Sequence, residues 1–303
     1  MSAPAVPAPR GLGAPPVLPA IERVGVVGCG AMGAGIAEVC AVAGLDVRVV
    51  VSRESSAAKG LRRITASLDR AVGRGRIGDT DRKAALERIS FTADLKSLAD
   101  RQLVTEAIRE DEAAKLALFA RLDKVVEDPD AILASNTSSI PIMKLARATR
   151  HSGRVIGIHF FNPVPALPLV ELVESLVTDH KTKLRAREFV TDVLGKQTVA
   201  SADRAGFVVN ALLIPYLLSA IRMVESGFAT VESVDRAMVL GCSHPMGPLK
   251  VADLIGLDVV ASIADALHEE FRDPAYARPP MLSRLVEGGL LGRKTGRGFY
   301  PYD

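Results

Sequence analysis

Short apolar runs alternate with longer amphipathic segments through the first two thirds of the chain. Buried parallel strands read as continuous apolar runs, and each needs a helical crossover to reach the next. The runs predict strands at residues 24–27, 47–51, 103–105, 131–134 and 155–158. The intervening segments predict helices at residues 31–43, 54–74, 81–88 and 112–126. This alternation predicts an α/β fold with a doubly wound, mainly parallel sheet.

The alternation stops near residue 203. Beyond it, the pattern predicts helices at residues 207–226, 231–240 and 251–271. We therefore expect a first domain over residues 21–203 and a second, all-helical C-terminal domain over residues 204–303. Residues 1–20 are almost entirely Ala, Pro, Gly and Val, a composition that cannot form a packed core, and we expect a disordered tail there.

Composition excludes several classes of protein. The 303 residues carry a formal net charge of +3, which is too weak to indicate nucleic-acid binding. No apolar run approaches the length of a membrane span, about 18–20 residues. The three cysteines, Cys29, Cys40 and Cys242, form no CxxC and cannot make a disulfide framework. We expect a cytoplasmic protein with no membrane segment and no metal site.

A glycine-rich turn, GCGAMG starting at Gly28, follows the first predicted strand and opens the first predicted helix. Gly28 permits the tight turn, Gly30 lets a pyrophosphate approach the backbone, and Gly33 lets helix and strand pack closely. The helix N-terminus at Ala31 and Met32 offers free N–H groups and a positive dipole end to phosphate. In this strand–turn–helix context the motif predicts a Rossmann-type dinucleotide site. The alternative is a glycine turn without a ligand.

The second predicted strand ends without the acidic residue that binds the adenosine ribose in such sites. Val51, Ser52 and Arg53 occupy that end. Without a carboxylate nothing there repels a 2′-phosphate; Ser52 can donate a hydrogen bond to it, and the Arg53 guanidinium can pair with it bidentately. The segment favours NADP(H) as cofactor. The alternative is NAD(H), with Arg53 as a solvated loop residue.

A histidine and a glutamate lie in the last apolar segments of the first domain. His159 follows the strand predicted at residues 155–158, and the carboxyl ends of strands line the ligand crevice of a doubly wound sheet. Glu171 lies twelve residues later in an apolar stretch, where a carboxylate needs a partner. A His159–Glu171 pair would orient the imidazole as a general base. Without its flanking residues, His159 would be interpreted as a core histidine whose hydrogen bonds are satisfied.

Six longer sequence motifs, which include the glycine turn and the His159 segment, occur in order along the chain. They are GCGAMGAGIAEVCAVAG at 28–44, ASNTSSIPI at 134–142, HFFNPVPALPLVELV at 159–173, DRAGFVVNALLIPYL at 203–217, HPMGPLKVADLIGLD at 244–258 and GRKTGRGFY at 292–300. Together they resemble the 3-hydroxyacyl-CoA dehydrogenase family, most closely its short, single-function 3-hydroxybutyryl-CoA dehydrogenase members. The resemblance spans about residues 22–302. The 6-phosphogluconate and hydroxyisobutyrate dehydrogenases share the glycine turn but lack the HFFNP segment.

The resemblance implies four catalytic positions. His159 matches the general base that takes the hydroxyl proton, and Glu171 matches the carboxylate that orients it. Ser138 matches the residue that hydrogen-bonds the substrate oxygen, and Asn210 matches the amide at the acyl thioester end. Ser138 also reads as a helix N-cap, a role equally open to Ser139, and Asn210 also reads as a satisfied helix amide.

For the cofactor, the resemblance implies four positions beyond the glycine turn. They are Glu110, Lys115, Asn162 and Lys294. Alone, Lys115 reads as a solvated helix charge. The family's ribose-binding acid falls on Val51, so this departure leaves NAD or NADP open, although a nicotinamide cofactor remains expected.

A basic cluster is the candidate site for the phosphates of coenzyme A. Residues 52–88 contain ten Lys or Arg and five Asp or Glu. Arg62 falls where the family has a basic residue near the CoA phosphates, and Lys59 and Arg63 are close in sequence. A charged surface helix is the equally weighted alternative.

The resemblance implies reversible oxidation of a short-chain (S)-3-hydroxyacyl-CoA, with an acyl-CoA as substrate partner. Two alternatives remain open: a dehydrogenase of a free hydroxy acid or sugar acid, and a catalytically silent dinucleotide-binding protein.

Residues 207–224 are apolar on more than one face, with Pro215 expected to kink the helix. Since the family dimerises through this domain, the resemblance implies a homodimer.

Overall fold

The computed structural model describes residues 20–302, so the expected tail lies outside the described residues except for Ala20. Within that range the first domain contains eight strands in one sheet. They are β1 (Arg23–Val27), β2 (Asp46–Val50), β3 (Ile89–Thr92), β4 (Leu103–Glu106), β5 (Ile132–Ser135), β6 (Val155–Phe160), β7 (Leu169–Glu174) and β8 (Gln197–Ala202). All five predicted strands are confirmed.

The strand order is β3-β2-β1-β4-β5-β6-β7-β8. Neighbouring strands are parallel except β6 and β7, which are antiparallel because residues 161–168 join them without a crossover helix. The predicted doubly wound, mainly parallel sheet is therefore confirmed. The pattern did not predict the edge strands β3 and β8, which are half-buried or exposed and lack a continuous apolar run, and it did not predict β7, although that strand is buried.

Helices cover the sheet and form the second domain. Those of the first domain are α1 (Ala31–Val42), α2 (Glu54–Gly73), α3 (Asp79–Glu87), α4 (Glu112–Val125), α5 (Ile142–Arg147) and α6 (His180–Glu188), the last continuing into a π-helical turn at Phe189–Val193. Those of the second domain are α7 (Val209–Glu225), α8 (Val231–Cys242), α9 (Pro248–Ile255), α10 (Leu257–Phe271) and α11 (Pro280–Glu287). The all-helical character of the second domain is confirmed.

Two predicted helix boundaries are wrong. The helix expected at residues 251–271 is two helices, because Gly256 adopts a φ of +104° between α9 and α10. Neither Ser138 nor Ser139 caps α5, whose N-cap residue is Pro141. The free N–H groups of Ile142 and Met143 instead donate to the Asp203 carboxylate, each at 2.7 Å, so a residue of the interdomain segment caps this helix.

Apolar clusters lie on both faces of the sheet and in the second domain. The α1 face of the sheet buries small residues such as Ala37 and Cys40, which lets this helix approach β1 and β2 closely. The opposite face is packed by α4 and α5 through residues such as Phe119 and Leu145. A third cluster joins α7, α9 and α10. No helix in the described part of the chain is long and apolar enough to cross a membrane.

Candidate active site

The glycine turn between β1 and α1 is shaped to receive a ligand. Gly28 has a φ of +97°, and a Cβ there would lie 2.6 Å from the Ala107 carbonyl oxygen. At Gly33 a Cβ would lie 2.1 Å from the Gly28 carbonyl oxygen, whereas at Gly30 it would meet nothing within 4 Å. The backbone is therefore tightly packed behind the turn and open in front of it, where the first N–H groups of α1 lie. This cradle fits a dinucleotide pyrophosphate.

The end of β2 lies beside the turn, since the Gly28 N–H donates to the Val50 carbonyl at 2.9 Å. Val51 is buried and leaves no carboxylate at the ribose position. Ser52 and Arg53 are exposed, and Arg53 forms no ion pair with any described residue. The Arg53 guanidinium is thus free to meet an anion at this end of the crevice.

The predicted cofactor residues Glu110 and Lys115 belong to one hydrogen-bonded network, in which Lys115 is buried and Glu110 is partly exposed. Lys115 is 1% exposed, and its Nζ lies 2.9 Å from Glu106 Oε1 and 2.8 Å from Glu110 Oε2. The Ser135 hydroxyl donates to the other Glu106 oxygen at 2.7 Å. Lys115 is therefore not a solvated helix charge, and the alternative reading of it is wrong.

Glu110 links this network to the NTSS turn after β5. Its Oε1 accepts hydrogen bonds from the Thr137 hydroxyl, from the Ser138 N–H at 3.2 Å and from the Ser139 hydroxyl at 3.0 Å. Partial burial alone would raise the pKa of this carboxyl, but the Lys115 charge and the Thr137 and Ser139 hydroxyls hold the pKa below its usual value. Glu110 is thus an ionised residue that fixes the turn carrying Ser138.

His159 and Glu171 form the pair that the sequence predicted. They are directly opposed residues of β6 and β7, which explains their spacing of twelve, and His159 Nδ1 lies 2.8 Å from Glu171 Oε2. Both side chains are buried, Glu171 completely. A carboxylate only accepts, so the proton of neutral His159 lies on Nδ1 and the lone pair lies on Nε2. Nε2 has no hydrogen-bond partner among residues 20–302.

The second domain holds the other Glu171 oxygen. Oε1 accepts from the Val208 N–H at 3.0 Å and from the Val209 N–H at 2.8 Å, at the N-terminus of α7. These donors satisfy the buried carboxylate and place it at the positive end of a helix dipole. The glutamate therefore joins the imidazole to the interdomain segment.

Two aromatic rings flank the imidazole edge-on. The Phe161 ring centroid lies 4.6 Å from that of His159, and the Phe207 centroid lies 5.4 Å away. The Asn136 Oδ1 accepts from the Phe160 N–H at 2.9 Å and ties the NTSS turn to β6. The His159 ring is thus restrained on several sides while Nε2 stays open.

The remaining two predicted catalytic residues present unused polar groups. The Ser138 hydroxyl and the Asn210 side-chain amide have no hydrogen-bond partner within the described part of the chain. The reading of Asn210 as a satisfied helix amide is therefore wrong: the residue is buried, but its donors remain available for a ligand.

Two adjoining cavities lie between α1, α2 and the β6–β7 loop. The larger has a volume of about 730 Å³ and the smaller of about 260 Å³, and both are lined by Glu38, Ser67 and Arg70. The smaller reaches Ala31 at the start of α1 and the predicted residue Asn162. We call these two cavities together the α1–α2 groove.

The basic residues of α2 divide between two faces. Arg63, Arg70 and Arg74 line the α1–α2 groove, whereas Lys59 and Arg62 are exposed and line neither cavity. Arg63 also donates to the Cys29 carbonyl of the glycine turn at 3.4 Å.

Lys294 lies in the second domain. Its Nζ forms an ion pair with Asp258 Oδ1 at 2.5 Å, and it makes no contact with the glycine turn. Among the residues that the structure describes, no cluster of three His, Cys, Asp or Glu is placed to hold a metal ion.

Sequence reasoning missed several residues that support the site: Glu106, Ser135, Asn136, Asp203 and Phe207. Glu106 could have been predicted from the sequence, because it is a carboxylate at the end of an apolar strand and therefore needs a partner. Glu171, which lies in another apolar run, was predicted on the same ground. The others depend on tertiary contacts between distant segments and carry no comparable signal.

Comparison with known proteins agrees with this geometry. Residues 23–204 match the model of the 3-hydroxyacyl-CoA dehydrogenase NAD binding domain, and residues 206–302 match that of the 3-hydroxyacyl-CoA dehydrogenase C-terminal domain. A 3-hydroxybutyryl-CoA dehydrogenase of Mycobacterium tuberculosis is 62% identical over 283 residues, covering 93% of this chain and 99% of the relative.

Solved structures give the same result. The crystal structure of M. tuberculosis FadB2 has a TM-score of 0.93 at 61% identity, covering 94% of this chain and 100% of that one. The (S)-3-hydroxybutyryl-CoA dehydrogenase PaaH1 of Ralstonia eutropha has a TM-score of 0.87 at 41% identity with the same coverage. Both domains match one family over nearly all of the described residues, and the chain is a member of the 3-hydroxyacyl-CoA dehydrogenase family.

Proposed function

We propose that the chain interconverts a short-chain (S)-3-hydroxyacyl-CoA and its 3-oxoacyl-CoA, such as 3-hydroxybutyryl-CoA and acetoacetyl-CoA, with a nicotinamide dinucleotide. The single observation that carries this proposal is the His159–Glu171 pair, whose Nε2 is free near the carboxyl end of β6. A protein that only bound the dinucleotide would have no use for an oriented base there. The printed names of the most similar relatives supply the substrate class.

In the direction of oxidation, His159 Nε2 accepts the proton of the substrate hydroxyl. Glu171 keeps the other ring proton on Nδ1 and stabilises the imidazolium that forms. In the direction of reduction the same Nε2–H donates its proton to the oxygen of the 3-oxo group. The imidazole therefore carries the proton in both directions, and Glu171 acts by orientation and charge.

Two further side chains are proposed to bind the substrate oxygens. The unpartnered Ser138 hydroxyl is available to the oxygen at C3, where negative charge develops, and the unpartnered Asn210 amide to the thioester carbonyl. Glu110 positions the first donor through its bond to the Ser138 N–H. The N-terminus of α7 positions the second.

The nicotinamide dinucleotide supplies or accepts the hydride when it is bound. We propose that Gly28, Gly30 and Gly33, with the N–H groups of Ala31 and Met32, hold its pyrophosphate. The proposed contacts nearer the nicotinamide are Glu110, Lys115 and Asn162. Lys294, which pairs with Asp258 in the second domain, is proposed as a further cofactor contact.

NADP(H) is the proposed preference. Val51 leaves no carboxylate to repel a 2′-phosphate, and the exposed Ser52 and Arg53 offer it a hydroxyl and an unpaired guanidinium. This proposal concerns the choice between two cofactors and is separate from the proposed reaction.

The CoA moiety is proposed to lie along α2. Arg70 and Arg74 line the α1–α2 groove and are placed to meet its phosphates, with Lys59 and Arg62 as the exposed candidates on the same helix. The smaller cavity of the groove also reaches Asn162, in the loop that follows the strand carrying His159.

A homodimer through the second domain is also proposed. Leu212, Phe228 and Leu240 are 72%, 79% and 70% exposed in the single chain. Large apolar side chains this exposed within one small helical domain favour a protein partner. A second copy of the chain is the proposed partner.

The experiment that tests the proposed function is a steady-state assay of acetoacetyl-CoA reduction with NADH and NADPH in parallel. Acetoacetate without CoA and a sugar acid serve as competing substrates. Turnover that requires the CoA ester supports the proposal. Turnover of the free acids, or none with any substrate, would contradict it.

A further inference from the structure

A buried carboxyl lies in the wall of the groove proposed to hold coenzyme A. Glu38 projects from the middle of α1, is only 4% exposed and lines both cavities of the α1–α2 groove. Its Oε1 accepts a hydrogen bond from the Ser67 hydroxyl of α2 at 3.0 Å. It has no ion pair within 4 Å among the described residues. This carboxyl plays no part in the His159 chemistry.

The charged groups around Glu38 come from several elements. Those lining the groove are Arg63, Arg70 and Arg74 of α2, Arg76 after it, Asp192 of the π-helical turn, and Lys196 before β8. The β6–β7 loop contributes Asn162 and prolines, and α3 contributes no lining residue. The groove without Glu38 is therefore strongly cationic, as an anionic ligand requires.

Burial opposes ionisation of Glu38 and raises its pKa to about 7, although the Ser67 hydroxyl and the Arg70 charge lower it. Near neutral pH the free protein therefore holds both forms of this carboxyl. A ligand phosphate that pairs with Arg70 removes part of the attraction that favours the charged form. It also places negative charge close to the carboxylate.

We propose that Glu38 takes up one proton when the CoA moiety enters the α1–α2 groove and lies against the ligand as a neutral carboxyl. In that form it remains an acceptor for Ser67 and gains an O–H donor for the ligand. This proposal rests on the proposed function, because it requires the groove to bind coenzyme A. It makes Glu38 a residue that sets how substrate affinity depends on pH.

The sign of the effect follows from the direction of proton uptake. Below the pKa of free Glu38 the carboxyl is already neutral and affinity is highest. Above it, binding must draw a proton from solution, so affinity falls as the pH rises until the pKa of the bound form is passed. The total loss is about tenfold for each unit by which the ligand raises the pKa.

The test is calorimetric titration of the full-length protein with dephospho-CoA at several pH values from 6 to 9. Each titration is run in buffers of different ionisation enthalpy, which gives the number of protons taken up. Dephospho-CoA is the probe because the 3′-phosphate of CoA is a monoester that itself titrates near pH 6. Glu38→Gln keeps the shape and the acceptor for Ser67 but cannot titrate. Glu87→Gln, an exposed charge change on α3 outside the groove, is the matched control.

The wild type and Glu87→Gln are expected to take up about half a proton near pH 7.5, with affinity falling about tenfold toward pH 9, as a pKa rise of about one unit on binding requires. Glu38→Gln is expected to show no uptake and an affinity that does not change with pH. Equal proton uptake by Glu38→Gln and wild type would overturn the inference while leaving CoA binding intact. Failure of the wild type to bind either dephospho-CoA or CoA would instead overturn the proposed function.

Discussion

The Glu171 carboxylate divides its two oxygens between the imidazole of His159 and the backbone at the start of α7. A buried acid with this set of donors has two effects: it fixes which ring nitrogen of His159 carries the proton, and it holds the interdomain segment against the sheet. The sequence indicated the first effect through the apolar surroundings of Glu171. The second depends on a contact between residues 37 positions apart and had no signal in the sequence.

Glu171→Gln should lower kcat by about 10² to 10⁴-fold and change the KM values little, because the amide can no longer act as an anion beside the imidazolium. Steady-state kinetics with acetoacetyl-CoA would measure this. Glu174→Gln, on the same strand and ion-paired to Lys183, is the matched control and should retain kcat. A Glu171→Gln enzyme with nearly full kcat would show that Glu171 is only structural.

Arg53→Ala should raise the KM for NADPH by about tenfold or more and leave the KM for NADH unchanged, since a charge-assisted hydrogen bond contributes about 1.5–3 kcal/mol. The two cofactors are compared at saturating acetoacetyl-CoA. Arg187→Ala, an exposed change on α6, controls for lost surface charge. Equal effects on both cofactors would contradict the proposed NADP(H) preference.

Five buried parallel strands and most of the long helices could be predicted from the sequence, but the buried strand β7 and the amphipathic helix α11 were not predicted. The five apolar strands were found, but β3 and β8 are edge strands whose register comes from their neighbours. The break between α9 and α10 depends on the left-handed backbone at Gly256, and a glycine in a helical pattern does not reveal its φ. The cap of α5 is tertiary, from Asp203.

The two faces of α2 give a prediction about substrate binding. Arg70→Ala should raise the KM for acetoacetyl-CoA about tenfold, because Arg70 lines both cavities of the α1–α2 groove, and Arg62→Ala should raise it by a smaller factor. Neither change should alter the KM for the cofactor. Steady-state kinetics with each substrate varied in turn would measure this, and an equal effect on both substrates would contradict the placement of CoA along α2.

At the scale of the whole molecule, the exposed leucines of the second domain predict assembly. The wild type should have twice the mass of one chain at micromolar concentration. Leu212→Asp or Leu240→Asp should shift it toward the monomer, because each places a charge on an apolar surface that the dimer would bury. Light scattering after size exclusion measures the mass.

The matched control for assembly is Leu176→Asp, which changes a leucine of the first domain that is 96% exposed. It should leave the mass unchanged. A monomeric wild type, or a dimer that survives both changes in the second domain, would contradict the proposed interface.

The proposed reaction requires His159 to be the residue that moves the proton. The most direct measurement compares His159→Ala with wild type in two experiments on the same preparation: fluorescence titration with reduced dinucleotide, and turnover of acetoacetyl-CoA. We predict unchanged dinucleotide affinity and a kcat lowered by about 10² to 10⁴-fold. Turnover within a few-fold of wild type would contradict the assignment of His159 as the general acid and base.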